Sequence, residues 1–206
     1  MNNDAIIIGY SGHAFVVIDV LRSAGFNCHS YCEKNYKTDN PFCLKFIGSE
    51  WDISVLEKLK LNNVFLGIGD NYLRTKVYNH LQSKNISTPS VSHPSAIISP
   101  LVQLGEGSVI MPGVIINALC NIGKGVICNS GSIIEHECQL GDFVHVAPGA
   151  VLSGNVSVGK HSFIGANSVV KQGVTIGERV VIGAGSVVLN NVVNDSILYG
   201  NPAKNK

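Results

Sequence analysis

The chain is short of several things that would commit it to a class. It has one tryptophan and two methionines in 206 residues, only 7% aromatic and 14% charged residues, and no dominant charge sign, with 15 basic residues against 14 acidic for a net charge of +1. No whole-molecule field therefore gathers nucleic acid or anionic lipid, and an anionic ligand must be held by a local site. No apolar stretch approaches the roughly 20 residues of a membrane span, so no membrane insertion is expected. Met1, Asn2, Asn3 and Asp4 carry no basic region and the apolar run behind them is cut by Gly9, which argues against a secretory signal. Cys28, Cys32, Cys43, Cys120, Cys128 and Cys138 lack the paired CxxC spacing of a zinc site, so no metal is expected, and they read as reduced thiols of a cytoplasmic protein. What is present is 45% hydrophobic residues, ample for a core in one or two domains.

The strongest positive signal is repetition. Stepping by six from Ile98 meets Leu104, Ile110, Ile116, Ile122, Cys128, Ile134, Leu140, Val146, Leu152, Val158, Ile164, Val170, Ile176, Ile182 and Val188, all aliphatic except one cysteine. Four residues after each lies a small or β-branched residue, from Val102 and Ser108 through Cys138 to Ser186 and Val192. Neither a 3.6-residue helix nor a two-residue strand alternation generates this pair of registers. A triangular solenoid does, with one large and one small residue pointing inward from each hexapeptide and three hexapeptides closing a coil. Gly105, Gly123, Gly141, Gly159 and Gly177 recur every 18 residues and should stack at one corner, in tight turns that need positive φ or close backbone approach. The reading predicts coils from Ile98 to Val193 without insertion.

Residues before about 90 alternate differently. Strands are expected at 5–8, 26–31 and 63–68 and helices at 14–24 and 71–83, the pattern of a small parallel α/β sheet. A turn, Gly9-Tyr10-Ser11-Gly12-His13, joins the first strand to the first helix, where backbone N–H groups and a helix N-terminus can meet a phosphate. GxSGH falls short of the GxGxxG fingerprint and equally serves as a plain tight turn. A second turn, Gly67-Ile68-Gly69-Asp70-Asn71, should reach the same sheet edge. The chain is thus divided into residues 1–92, a Rossmann-like α/β domain, and residues 93–206, a parallel β-helix.

Taken in order, GYSGHA, IGDN, SHPSAIIS, IIEHE and GNPAK resemble the hexapeptide-repeat sugar acetyltransferases. Within that group they are most similar to the bacterial UDP-4-amino-sugar N-acetyltransferases of bacillosamine biosynthesis, with the GDP-perosamine N-acetyltransferases and sialic-acid O-acetyltransferases close by. The resemblance implies left-handed coiling, a homotrimer with acetyl-CoA between neighbouring prisms, and a nucleotide sugar, most readily a UDP-linked 4-amino-4,6-dideoxy sugar, on the first domain. It assigns the catalytic base to His136 with Glu137 beside it, and the acetyl end of the coenzyme to His145. It also places Ala166 and Ala184 against the coenzyme, and Ser11, Gly12, His13, Glu33, Lys34 and Gly69 against the sugar nucleotide. Lys34 departs from the family, which carries a second acid there.

Register supports part of this. His136 and Glu137 fall on a corner between strands, and His145, next to inward Val146, should point outward on a face. The resemblance gives Ala166 and Ala184 as outer-face positions. Imidazole as a class titrates at about 6.5, close to working pH, which suits a general base, and an adjacent carboxylate can hold its tautomer. Cys138 sits at a small inward position and reads as core rather than as a covalent nucleophile. A zinc site from His136, His145 and His161, or a non-catalytic scaffold, are the rival readings, and within the enzyme class the acceptor is an amine or a hydroxyl.

Overall fold

Asp4–Ile8 (β1), Asn27–Cys32 (β2), Lys45–Phe46 (β3) and Asn63–Leu66 (β4) form a parallel sheet of order β3-β2-β1-β4 in the computed structural model, which describes residues 3–206. Met1 and Asn2, on which part of the N-terminal reading rests, lie outside the described residues. β1 and β4 are apolar beyond their first residues because the sheet is covered there, with Ala5, Ile6, Ile7 and Ile8 each at most 2% exposed, whereas β2 and β3 carry exposed polar residues such as Asn27, His29 and Lys45. Gly12–Ser23 (α1), Ile53–Leu59 (α2) and Asn71–Ser83 (α3) are the helices. The alternation read from the sequence is present; β3 and α2 are additions to it.

From Val91 onward the chain makes two-residue strands, each pairing in parallel with the strand 18 residues later, as in Asn121↔Gln139, Ile127↔His145 and Ile133↔Val151. Three sheets result, the faces of a left-handed β-helix. The first residue of each pair points out and the second in. Ile110, Ile134, Leu152, Ile164, Val170 and Ile182 are fully buried, each worth about 1.5–3 kcal/mol of burial. Serines in the small register need partners in this stack, and the Ser108 and Ser162 hydroxyls donate to the Gly123 and Gly177 carbonyls at 2.9 and 2.8 Å.

Of the two reasons open for the stacked glycines, close backbone approach is the one found: a Cβ on Gly105 would come within 2.5 Å of the Gly123 carbonyl, and one on Gly159 within 2.6 Å of the Gly177 backbone, while none of them has positive φ. Positive φ belongs to another position recurring every six residues, which runs through Gly107, Gly113, Leu119, Gly125, Gly131 and Glu137. Against expectation, the repeat does not run unbroken to Val193. Ile176 bridges to Val192 and Val181 pairs with Ile197, a step of 16 residues in both cases, so Val192 takes a place opposite Ile176 instead of the small register. The Asn191 carboxamide oxygen accepts from the Thr175 amide at 2.8 Å and bridges the shortened turn. Ile197–Tyr199 then pairs antiparallel with Lys204–Asn205.

The three faces differ in chemistry. One carries Gln103, Asn121, Gln139, Ser157 and Thr175 outward and is polar. The second, with Val109, Ile127 and His145 outward, is buried under the α/β domain, whose Val17, Ile18 and Leu21 share one core with the coils. The third carries Ile97, Ile115, Ile133, Val151, Val169 and Val187 outward and lies open, with Ile97 66% and Val169 39% exposed. No helix among the described residues is long and apolar enough to cross a membrane.

Candidate functional site

The C-terminal edge of the small sheet gathers both glycine turns. Gly9, Ser11, Gly67, Gly69 and Asp70 line a cavity of about 230 Å³ there, with Glu33 at the end of β2. Ser11 is the N-cap residue of α1 but its hydroxyl makes no capping bond, and the first turn of α1 holds no acid, so its positive end is uncompensated. A Cβ on Gly12 would meet nothing within 4 Å, leaving open approach to these amides. Glu33 orders the turn from the side: Oε2 accepts from the Tyr10 amide at 3.2 Å and Oε1 from the Lys34 amide at 3.1 Å. Lys34 itself is exposed.

Below this edge the two domains are locked by Arg74 of α3, which is 1% exposed. All five of its N–H donors are used: Nε to the Gly125 carbonyl, Nη1 to the Ile68 and Gly69 carbonyls, and Nη2 to Asn71 Oδ1 and the Phe143 carbonyl, at 2.8 to 3.1 Å. Burial lowers its pKa to about 9, so it stays a cation at neutral pH. Asn71 adds bonds to the His161 and Ser162 carbonyls at 3.0 and 3.2 Å.

Arg74 sits beside two histidines. His13 and His145 have ring centroids 6.0 Å apart, and burial first and the Arg74 charge second hold their pKa values down at about 4 and about 3. Both are neutral at physiological pH. His13 Nε2 is buried without a hydrogen-bond partner, while His145 Nε2 lies 3.2 Å from Asn129 Nδ2. His145 does leave the coil outward, but at 8% exposed it does not lie on an open face, because the α/β domain covers it. Hexapeptide register sees only the coil and carries no sign of this cover.

The His136 corner is separate. It joins Ile133–Ile134 of the open apolar face to Gln139–Leu140 of the polar face. His136 Nδ1 and Glu137 Oε2 are 3.0 Å apart, with side chains 51% and 56% exposed. A carboxylate only accepts, so Nδ1 carries the hydrogen and Nε2 is left as the free basic nitrogen. The ring lies over Gly154 of the next coil, where a Cβ would come within 2.5 Å of its Cε1 and Nε2. Glu137 holds φ at 64°, in the left-handed region.

The model of the PglD N-terminal domain matches residues 4–81, and that of the hexapeptide repeat of succinyl-transferase matches residues 155–190. No curated protein matches the chain. The acetyltransferase domain of PglB from Neisseria gonorrhoeae FA1090, solved with acetyl coenzyme A, is 29% identical over 100% of both chains, with a TM-score of 0.94. WeeI from Acinetobacter baumannii AYE, 24% identical over 98% of this chain and 99% of that one, has a TM-score of 0.86 and shares the fold. Perosamine N-acetyltransferase from Caulobacter crescentus, solved as a histidine-to-asparagine variant with CoA and GDP-perosamine, is 37% identical over 98% of this chain and 96% of that chain, with a TM-score of 0.94. The chain belongs to the hexapeptide-repeat sugar N-acetyltransferases.

As a member of that family it spreads its candidate residues over two regions. Ser11, Gly12, His13, Glu33, Gly69 and His145 gather around the sheet edge and the Arg74 lock. His136 and Glu137 do not join them, because they lie beyond the far edge of the open face. Ala166 and Ala184 are not on a flat face as expected; both lie in turns between the covered and open faces, where Gly165 stacks on the backbone of Gly183 and Ala184. His161 stacks on Phe143 and Tyr72 at 5.7 and 5.2 Å, and among the described residues no group of three or more His, Cys, Asp or Glu converges as a metal site would require. Cys138 is fully buried, and its thiol is pushed up by the hydrogen bond with Cys120 and then by burial, so it is a poor nucleophile.

Sequence reading missed Arg74 and Gly154, and placed Asn71 in the second glycine turn without its bonds to the coils. An arginine within a surface-length helix reads as solvated, and only its contacts reveal otherwise. Gly154 is the single glycine among the positions spaced by 18 residues that run Ala118, His136, Gly154, Gln172 and Asn190, and that was the available signal.

Proposed function

We propose that this chain transfers the acetyl group of acetyl-CoA to the amine of a nucleotide-linked amino sugar, with His136 as general base. The observation that carries this reading is the His136–Glu137 pair, an exposed imidazole whose Nδ1 faces a carboxylate and whose Nε2 is free. The sugar nitrogen attacks the thioester carbonyl, a C–N bond forms as the C–S bond breaks, and the nitrogen's proton passes to Nε2, from which the leaving sulfur takes it, so that coenzyme A departs as the thiol and His136 is neutral again. Glu137 stabilises the imidazolium as it forms. The relatives solved with CoA and GDP-perosamine or with acetyl coenzyme A are N-acetyltransferases or an acetyltransferase domain, which favours an amine acceptor here.

In this reading residues 1–92 hold the nucleotide sugar at Ser11, Gly12, His13, Glu33, Lys34 and Gly69, and residues 93–206 supply His145, Ala166 and Ala184 to the coenzyme. Within one chain these lie on the opposite side of the open face from His136, so the complete site draws on two copies. An open apolar face between the two half-sites supports a homotrimer in which that face is covered by neighbours. Six free cysteines fit a reducing cytoplasm.

The test is thiol release from acetyl-CoA in the presence of nucleotide-linked amino sugars, with mass spectrometry of the product. An N-acetylated sugar nucleotide is expected; thiol release independent of the acceptor, or none with any amino-sugar nucleotide, overturns the reading.

A further inference from the structure

The segment between β3 and α2 builds a wall that nothing in the hexapeptide or glycine patterns announced. Ser49, Trp51, Asp52 and Lys34 bound a cavity of about 550 Å³, which shares Glu33, Glu50 and Leu73 with the smaller cavity at the glycine turns. The two form one cleft running from the N-terminus of α1 past the end of β2 to Trp51.

Glu50 is the anomaly in this cleft. It is 9% exposed, it lines both cavities, and no cation pairs with it among the described residues. Its carboxylate receives one long hydrogen bond, 3.4 Å from the Ser49 hydroxyl to Oε2. Its backbone, by contrast, is pinned, with the carbonyl 3.1 Å from His80 Nε2. The other carboxylate oxygen carries no hydrogen bond and opens into the cleft, so the carboxylate has acceptor capacity for an entering ligand. The fold fixes the backbone of this residue at the cleft and gives its carboxylate one weak donor.

A ligand edge that engages both oxygens at once offers two donors side by side. Among nucleobases only guanine does so, through N1–H and the 2-amino group on one edge. Uracil flanks its single N–H with two carbonyls that would face the carboxylate as acceptors, and adenine and cytosine set an amino group beside a bare ring nitrogen. The ribose diol is the other paired donor, but the acid at the end of β2, where open α/β sheets hold ribose hydroxyls, is Glu33. Trp51, 44% exposed and backed by the His80 ring at 4.0 Å, supplies an aromatic wall of purine breadth.

We propose that this cleft selects guanine, with Glu50 accepting from N1–H and the 2-amino group, and that the sugar the enzyme acetylates is carried on guanosine diphosphate. The inference rests on the nucleotide-sugar reading above and narrows it, replacing the uridine nucleotide expected from sequence resemblance.

The experiment is calorimetric titration of the full chain with GDP, IDP and UDP. It is paired with the fluorescence of Trp51, the single tryptophan, which reports whether the base reaches this wall. GDP should bind tightest, IDP, which lacks the 2-amino group, roughly tenfold weaker, and UDP about 10²-fold weaker. Glu50→Gln should weaken GDP by about tenfold or more and leave UDP unchanged. UDP binding as well as GDP, IDP equalling GDP, or an equal loss for GDP and UDP in Glu50→Gln each overturns the assignment, the last by giving Glu50 to the ribose. The comparison of the three nucleotides needs no variant, so a folding defect in Glu50→Gln leaves the test decisive. Binding of UDP alone sinks this inference and spares the acetyl-transfer reading, whereas binding of no nucleotide sinks both.

Discussion

Arg74 of α3 donates through Nη2 to the carbonyl of Phe143, 3.1 Å away and two residues before His145, while its Nη1 holds the Gly69 carbonyl at 2.9 Å. One guanidinium thus sets the spacing between the second glycine turn and the strand that carries His145.

Replacing it should loosen both. Arg74→Met leaves the carbonyls of Gly125, Ile68, Gly69 and Phe143 without this donor, and a loss on the order of 3 kcal/mol or more is expected. Arg74→Lys keeps a charge but not the planar fork and should recover little of it. Thermal unfolding of the two variants checks this; equal stability of Arg74→Met and the parent would show that the lock contributes nothing.

His136→Ala should lower kcat by about 10²–10⁴ with folding unchanged, the usual worth of a positioned base. Gly154→Ala is the subtler partner experiment. Its methyl would occupy the space of the imidazole Cε1 and Nε2, so the ring must swing away, and a displacement of that kind costs on the order of 10²-fold in kcat. Steady-state kinetics with both substrates checks the pair. Near-parent kcat in Gly154→Ala would mean that the position of the ring over that glycine is irrelevant.

Stability should depend on pH through the buried histidines. Unfolded, His13 and His145 titrate at about 6.5; folded, at about 4 and about 3. Between these values the unfolded state binds more protons, so stability rises with pH, is fully present above about 6.5, and is lost as pH falls toward 4 and 3. Denaturant unfolding at pH 7.5, 6 and 5 should show a decline of a few kcal/mol, reduced in His145→Gln. A flat profile would mean that the two rings are not held neutral by burial.

The open apolar face predicts assembly. Val169→Glu puts a charge among Val151, Val187 and their neighbours without touching the inward stack, and should convert a trimer to monomers with unchanged circular dichroism. Sedimentation measures the state, and acetyl transfer should fall with it, because His136 and the nucleotide edge belong to different sides of one chain. Full activity in a demonstrated monomer would remove the need for a shared site.

What the sequence made legible follows from how repeated an interaction is. Sixteen hexapeptides, each with two inward positions, repeat one packing problem, so Ile110, Ile134 and Val170 announce themselves, as do the strands and glycine turns of the α/β sheet. The pieces left out are single events. β3 is two residues long, α2 seven, and the Ser49–Asp52 stretch between them has no period to detect. The cover over His145 is a contact between distant segments, and Arg74 is indistinguishable from a surface arginine until both domains surround it. The shortened step before Val192 was hidden because valine satisfies either register. His136 and Glu137 fell on a corner by counting alone, but residue type announces neither the hydrogen bond between them nor the left-handed φ at Glu137.

The antiparallel strand Lys204–Asn205 laid on Ile197–Tyr199 also bears on how such a rod behaves at high concentration. A stack of parallel coils could in principle be continued by any similar chain docking head to tail. By folding back, the last segment occupies the hydrogen-bonding row of one sheet with a strand of the wrong direction, flanked by lysines, and removes that template for fibre growth.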